Sequence, residues 1–173
     1  MGAGEGGRLV YLRALRSGVE CTLTARGAVG LLCAMSEHPP APVSPPHVVG
    51  DSYDFQTIRT ALGGQPLPPN FVIHRDGVIL GVCLGKMWNP LAEGDPAEVW
   101  VGRKDPLPKW GVKLAATTGP LPVYVRREEG GKWFFIGLHE VTGSSTEPND
   151  IRHRLKPPLI ASISRIVYLK RLP

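Results

Sequence analysis

Apolar positions recur at two spacings along this chain, and the change of spacing separates a few short helices from a longer series of strands. Phe55, Ile58 and Leu62 fall at i, i+3 and i+7, which predicts a short amphipathic helix capped by Asp51-Ser52 and ended by Gly63-Gly64. Strand patterns follow: Asn70 to His74, a turn at Arg75-Asp76-Gly77, Val78 to Leu84, and Glu98-Val99-Trp100-Val101. Pro108 to Ala116 reads as a helical turn or short helix and Pro122 to Arg127 as a strand. Glu129-Gly130-Gly131 reads as a tight turn into the strand Lys132 to Val141. Thr146 is the expected N-cap of a helix over Glu147 to Leu155 with Pro148 in its first turn, and Ile160 to Leu169 closes the chain as a strand. In Trp133-Phe134-Phe135 alternate rings must face opposite ways, so the cluster is expected to be mostly core.

The N-terminal region has a different texture. Ala28 to Met35 has helical spacing, whereas His38-Pro39-Pro40-Ala41-Pro42-Val43-Ser44-Pro45-Pro46 holds too many prolines for a helix or a central strand and predicts an extended linker. Residues 1–47 are therefore expected to be an N-terminal extension with a Pro-rich linker, and residues 48–173 the folded domain. With 21 Gly, 18 Pro and an apolar share of 42%, turns and strands should outweigh long helices. At 173 residues the chain can bury a core without disulfides or a structural metal.

Three widely spaced cysteines, Cys21, Cys33 and Cys83, support neither a disulfide framework nor a CxxC metal site, and reduced core residues are expected. The sequence has no run of 18 apolar residues and no pattern of a secretory signal, so a cytoplasmic or nucleoid location without membrane contact is expected. Charge is lopsided: residues 1–98 carry 7 basic and 9 acidic side chains, residues 99–173 carry 13 and 6, which gives −2 and +7. A basic half is the electrostatic footprint of a nucleic-acid binder, and also of a merely solvated face.

Catalytic patterns are weak. His74-Arg75-Asp76 has the letters of a kinase catalytic triplet but lacks the metal-binding Asn and a Gly-rich phosphate loop. His38, His47, His74, His139 and His153 show no metal-ligand spacing, and Ser144-Ser145 lies in a polar stretch, read as a loop, without a nucleophile elbow. No metal, cofactor or catalytic residue is expected. A small hydrolase or transferase built on Asp95, Glu98, His139 and Glu140 is the enzymatic alternative, with no spacing to support it.

The binding signal is stronger. Trp88 and Trp100 bracket a short polar loop that holds Asn89, Glu93 and Asp95, with Lys86 before it and Arg103, Lys104, Lys109 and Lys113 after it. An indole is a rigid stacking face for a nucleobase, and lysines and arginines hold phosphates. Arg75, at the expected hairpin tip, is a further phosphate or wedge candidate.

These residues resemble the SRA domain, the SET- and RING-associated reader of modified cytosine within the PUA-like group. Gly94-Asp95-Pro96-Ala97-Glu98-Val99-Trp100-Val101-Gly102 is similar to that family's Gly-Asp-x-Phe-x-Tyr-Thr-Gly strand with a small insertion. Leu121-Pro122-Val123-Tyr124-Val125-Arg126-Arg127 resembles its Pro-Val-Arg-Val strand, and Trp133 to Val141 its Tyr-Asp-Gly-Leu-Tyr-x-Val strand. The resemblance implies an α+β fold, a curved PUA-like or SRA-like β-barrel with a few short flanking helices. It also implies a flipped base sandwiched between two aromatic rings, for which Trp88 and Trp100 hold the matching positions. The family's cytosine-reading Asp is replaced by Leu91 and its hydroxyl residue by Val101, so edge contacts are expected from Asn89, Glu93, Asp95 or main-chain groups.

The implied function is a non-enzymatic, DNA-binding reader of a flipped, modified base in an aromatic pocket, of the kind that serves as a recognition module in restriction or defence systems. Its partner would be double-stranded DNA with modified bases. A nuclease chain and a second copy of this chain are further candidate partners. A PUA-like RNA-binding module is the alternative within binding proteins, and a plain protein-interaction domain with every tryptophan in the core is a third reading. The sandwich requires both indoles at one open slot.

Overall fold

The computed structural model describes residues 47–65, 71–154 and 162–173. The helix expected at Ala28 to Met35, the proline-rich linker, Cys21 and Cys33 lie outside the described residues.

Ten elements make up the described chain, in order: β1 (Ser52–Tyr53), α1 (Phe55–Ala61), β2 (Val72–Arg75), β3 (Val78–Gly85), β4 (Ala97–Gly102), α2 (Leu107–Ala115), β5 (Leu121–Arg126), β6 (Trp133–Ser145), α3 (Pro148–Arg154) and β7 (Ile163–Arg171). Six strands form one curled half-barrel sheet in the order β2-β3-β5-β6-β7-β4, and β1 pairs with β6 beside it. The β3–β5 pair is parallel and every other pair is antiparallel. The protein is thus a mixed helix-and-strand fold with few short helices, compatible with a curved β-barrel.

Local chemistry sets the element ends. Asp54, rather than Asp51-Ser52, caps α1: its Oδ1 accepts the Thr57 N–H at 2.8 Å and its Oδ2 the Thr57 hydroxyl at 2.6 Å. Ser52 and Tyr53 are drawn instead into pairing with Phe134 and Trp133. Asp76 (φ 50°) and Gly77 (φ 82°) both have positive φ, which matches the twist of the β2–β3 hairpin in a two-residue turn. β6 runs to Ser145, so Ser144-Ser145 is strand and not loop, because β7 supplies Val167 and Ile166 as partners. Ser145, rather than Thr146, then serves the first turn of α3. Its Oγ accepts the Glu147 N–H at 3.1 Å and donates to Asp150 Oδ2 at 2.6 Å.

Alternation along the strands sorts the apolar residues into three clusters. Val72, Val82, Leu84, Val99, Val101, Val123, Val125, Val167 and Leu169 share one core with Leu114 of α2. Gly111 admits that helix: a Cβ there would lie 2.6 Å from Val101 Cγ1. Ile73, Cys83, Tyr124, Trp133 and Phe135 pack with Ile58 of α1 in a second cluster. The Cys83 thiol is free and fully buried, and burial raises its pKa well above the ordinary range. Trp100, Ile163 and Ile166 pack with Ile151 of α3 in the third.

Candidate functional site

Strand direction decides which of the expected site residues can meet. β3 and β5 run parallel with Gly85 opposite Arg126, and Lys86 N–H continues the pairing by donating to the Arg126 carbonyl at 2.8 Å. The two strand ends, and the loop 86–96 that leaves β3, therefore converge. Lys86, Trp88, Arg126 and Arg127 line one open hollow there, and Glu128 and Glu129 line it too. A Cβ at Gly85 would lie 3.8 Å from Trp88 Cδ1 and 3.9 Å from Arg126 Nη2, both ordinary contact distances, so the indole and the guanidinium lie close to one spot beside this residue.

Trp88 is 59% exposed, yet its loop is firmly tied. The backbone N–H groups of Trp88 and Asn89 both donate to the Gly85 carbonyl at 3.0 Å, and Ala92 N–H donates to the Asn89 carbonyl at 3.0 Å. The buried Asn89 side chain joins loop to strand: its Oδ1 accepts the Trp100 N–H at 2.8 Å, and its Nδ2 donates to the Gly85 carbonyl at 3.3 Å. Asn89 thus has a structural task where a base-edge contact was expected.

Glu93 is likewise engaged. Its Oε1 accepts from Arg127 Nε at 3.1 Å and Nη2 at 2.7 Å, and its Oε2 accepts from Lys86 Nζ at 2.9 Å. Those bonds, from Arg127 first and Lys86 second, hold its carboxyl below the usual carboxylate range. Phe134 backs the Arg127 guanidinium at 4.5 Å, and Trp133 backs that of Arg126 at 4.9 Å. Asp95 is exposed on the same loop.

Trp100 does not share the slot expected of it. It is 9% exposed, packs with Ile151, Ile163 and Ile166, and donates its Nε1–H to Glu98 at 3.0 Å. Val99 and Val101 point into the main core, so alternation turns Trp100 to the opposite face, where α3 covers it. The described residues therefore present one exposed indole and no two-indole sandwich.

The expected phosphate ligands divide in the same way. Only Lys86 lies with Trp88. Arg75 ends β2, and Lys113 donates to the Gly77 carbonyl at 3.3 Å, so both sit where β3 begins, roughly 20 Å of strand from its end. Arg75 is exposed, and its guanidinium lies near Gly63 after α1, where a Cβ would be 3.5 Å from its Nη2. Lys113 rests 5.0 Å over Trp110, whose ring stacks on His74 at 3.8 Å. Arg103 lies just past the far end of β4 and donates Nε–H to the Ile163 carbonyl at 2.9 Å. Lys104 is exposed beside it, and Lys109 pairs with Asp105 at 3.1 Å. This second basic end is separate from the Trp88 hollow. Arg126 and Arg127, which do belong to the hollow, were legible only as part of a strand, because the parallel β3–β5 pairing that brings them to Trp88 leaves no local trace.

The enzymatic set is not assembled. Glu98 is buried beside Trp100, and through β7 it lies level with Gly143, four residues along β6 from His139. His139 is buried, with Nδ1 donating to the Gly137 carbonyl at 3.3 Å, and Glu140 is exposed on the same strand. Among the described residues no group of three His, Cys, Asp or Glu side chains is placed to hold a metal ion, and no helix is long and apolar enough to cross a membrane.

In comparisons with known proteins the chain matches no family model, no curated protein and no solved structure.

Proposed function

We propose that this chain is a nucleic-acid-binding module that stacks one unpaired or extruded base on Trp88 and holds the adjoining phosphates with Lys86, Arg126 and Arg127. The observation that carries the reading is a 59% exposed indole on a loop fixed by hydrogen bonds, with three cations in the same hollow. Leaving a large aromatic ring in water beside cations suits a ligand that is flat and anionic, since stacking on such a ring is worth about 1–3 kcal/mol per base. The resemblance of residues 94–102, 121–127 and 133–141 to the SRA domain points to duplex DNA with a flipped, modified base as the first ligand. A recognition module for a nuclease in a restriction or defence system is the matching biological setting. Trp100 and Asn89 do not touch the base in this reading: Asn89 ties the loop to β4, and Trp100 packs beneath α3. The carboxylates Glu128 and Glu129, in the same hollow, would disfavour loose electrostatic binding and leave stacking to select the ligand.

An RNA-binding module is the second reading, favoured by one observation. A single open stacking face, unlike a closed slot, serves nucleotides that are already unpaired. Titration of labelled duplexes with and without modified bases, single-stranded DNA and RNA, at several salt concentrations, separates the two. A preference for the modified duplex that disappears in a folded Trp88→Ala variant is the expected result. Equal affinity for plain DNA and RNA overturns the duplex reading, and absence of binding to all four overturns both.

A further inference from the structure

We infer that Lys86 and Arg127 form a phosphate site that Glu93 fills with its own carboxylate, so that an anionic ligand binds by displacing Glu93. The nature of the ligand, the phosphate of a nucleotide chain, rests on the function proposed above, whereas the anion site rests on geometry alone. Its two cations directly follow β3 and β5, whose pairing sets their backbones side by side, while the carboxylate is carried on the loop that leaves β3. Glu93 uses both oxygens: Lys86 donates to one at 2.9 Å, and Arg127 donates two N–H groups to the other at 3.1 and 2.7 Å. Carboxylate and phosphate satisfy such a donor set in the same way.

Exposure shows which partner is lodged between the others. The Lys86 and Arg127 side chains are 44% and 51% exposed and Glu93 is 25% exposed, so a carboxylate sits between two cations that remain open to solvent. Phe134 holds the Arg127 guanidinium from one side, which keeps its donor edge in place when Glu93 leaves. Exposed ion pairs are weak, which makes the exchange accessible to a dianionic or polyanionic ligand. Trp88 and Lys86 share the same hollow, so the phosphate held there would flank the base stacked on the indole. Glu93 therefore acts as a built-in competitor that raises the threshold for binding arbitrary anions.

The test compares the wild-type chain with Glu93→Gln, using inorganic phosphate followed through the Arg127 Nε–H resonance, and labelled single-stranded and duplex oligonucleotides. Glu93→Gln is expected to bind phosphate at least threefold more tightly and the preferred oligonucleotide three- to tenfold more tightly. Its affinity for the oligonucleotide should also fall more steeply with salt, by about one in the log–log slope, because one more cation is free to neutralise a phosphate and release a counterion from the nucleic acid. Affinity for phosphate that is unchanged or weaker in Glu93→Gln overturns the inference, even if Trp88-dependent oligonucleotide binding upholds the function proposed. Tighter phosphate binding with no oligonucleotide bound by either protein keeps the anion site and discards the nucleic-acid reading. Should Glu93→Gln fail to fold, Arg127→Gln decides: phosphate affinity must drop at least threefold, and an unchanged value overturns the site.

Discussion

Trp88 and Trp100 lie twelve residues apart, both beside the same loop, yet one is 59% exposed and the other 9%. The difference arises from the neighbours that pack around each ring. Trp100 sits mid-strand, where Ile163 and Ile166 of β7 and Ile151 of α3 close over it. Trp88 sits in a turn whose backbone groups are satisfied by Gly85, leaving the indole at the rim, largely open to water. Two residues of the same type thus take opposite environments, one packed against the sheet and one open to water, and proximity in sequence does not make them a pair.

Truncation should tell these environments apart most strongly at Trp100. Trp100→Ala is expected to cost about 3–5 kcal/mol of unfolding free energy, read by chemical denaturation, because it leaves a cavity under α3 and strips Glu98 of an indole donor. A loss below about 1 kcal/mol would mean that the ring is not the packed residue described. Asn89→Ala should cost about 1–3 kcal/mol, since the Trp100 N–H would be left buried without its acceptor. If that variant keeps full stability, Asn89 does not hold loop to strand.

Trp88→Ala should do the reverse. Stability should change by no more than about 0.5 kcal/mol, as for an exposed side chain, while affinity for the preferred nucleic acid falls by about 1–3 kcal/mol. Equal loss of stability in the Trp88 and Trp100 variants would erase the distinction between the two regions.

The smallest effect expected is a pH dependence that reports the core side of the comparison. His139 is held below the ordinary histidine value of 6.5, by burial first and by the Arg171 charge as a lesser cause, with the Gly137 carbonyl opposing. His47 and His74 are lowered as well, each by burial first. A depressed folded pKa means that the unfolded chain takes up the proton first. The stabilisation is therefore fully present above about pH 6.5 and is lost as pH falls through the lower folded value. Denaturation midpoints should decline from about pH 7 towards about pH 5, less steeply in His139→Gln. A flat profile in the wild-type chain would contradict neutral burial of His139.

Much of the domain was legible in the sequence because short-range physics determines it. The turn at Arg75-Asp76-Gly77, the short helix through Phe55 and Ile58, and the strands Pro122 to Arg127 and Lys132 to Val141 joined by a tight turn all appear in the fold, with some ends shifted. The cap of α1 and the extent of β6 were misplaced, because each depends on a partner strand remote in sequence, β6 for Ser52-Tyr53 and β7 for Ser144-Ser145. Candidate residues fared unevenly for the same reason. Trp88 and Lys86 share a loop, so local order brings them together, whereas Arg103, Lys104, Lys109 and Lys113 come after a strand that carries them to the other end of the sheet.

By itself the sequence determined which residues turn, cap and alternate, since those preferences act over a few peptide units. Only the tertiary structure decided which indole faces water, which cations stand beside it, and that Glu93 bridges Lys86 and Arg127. The parallel pairing of β3 with β5 is the physical cause: it places two strand ends 41 positions apart, Gly85 and Arg126, side by side, and no pattern along the chain encodes that meeting.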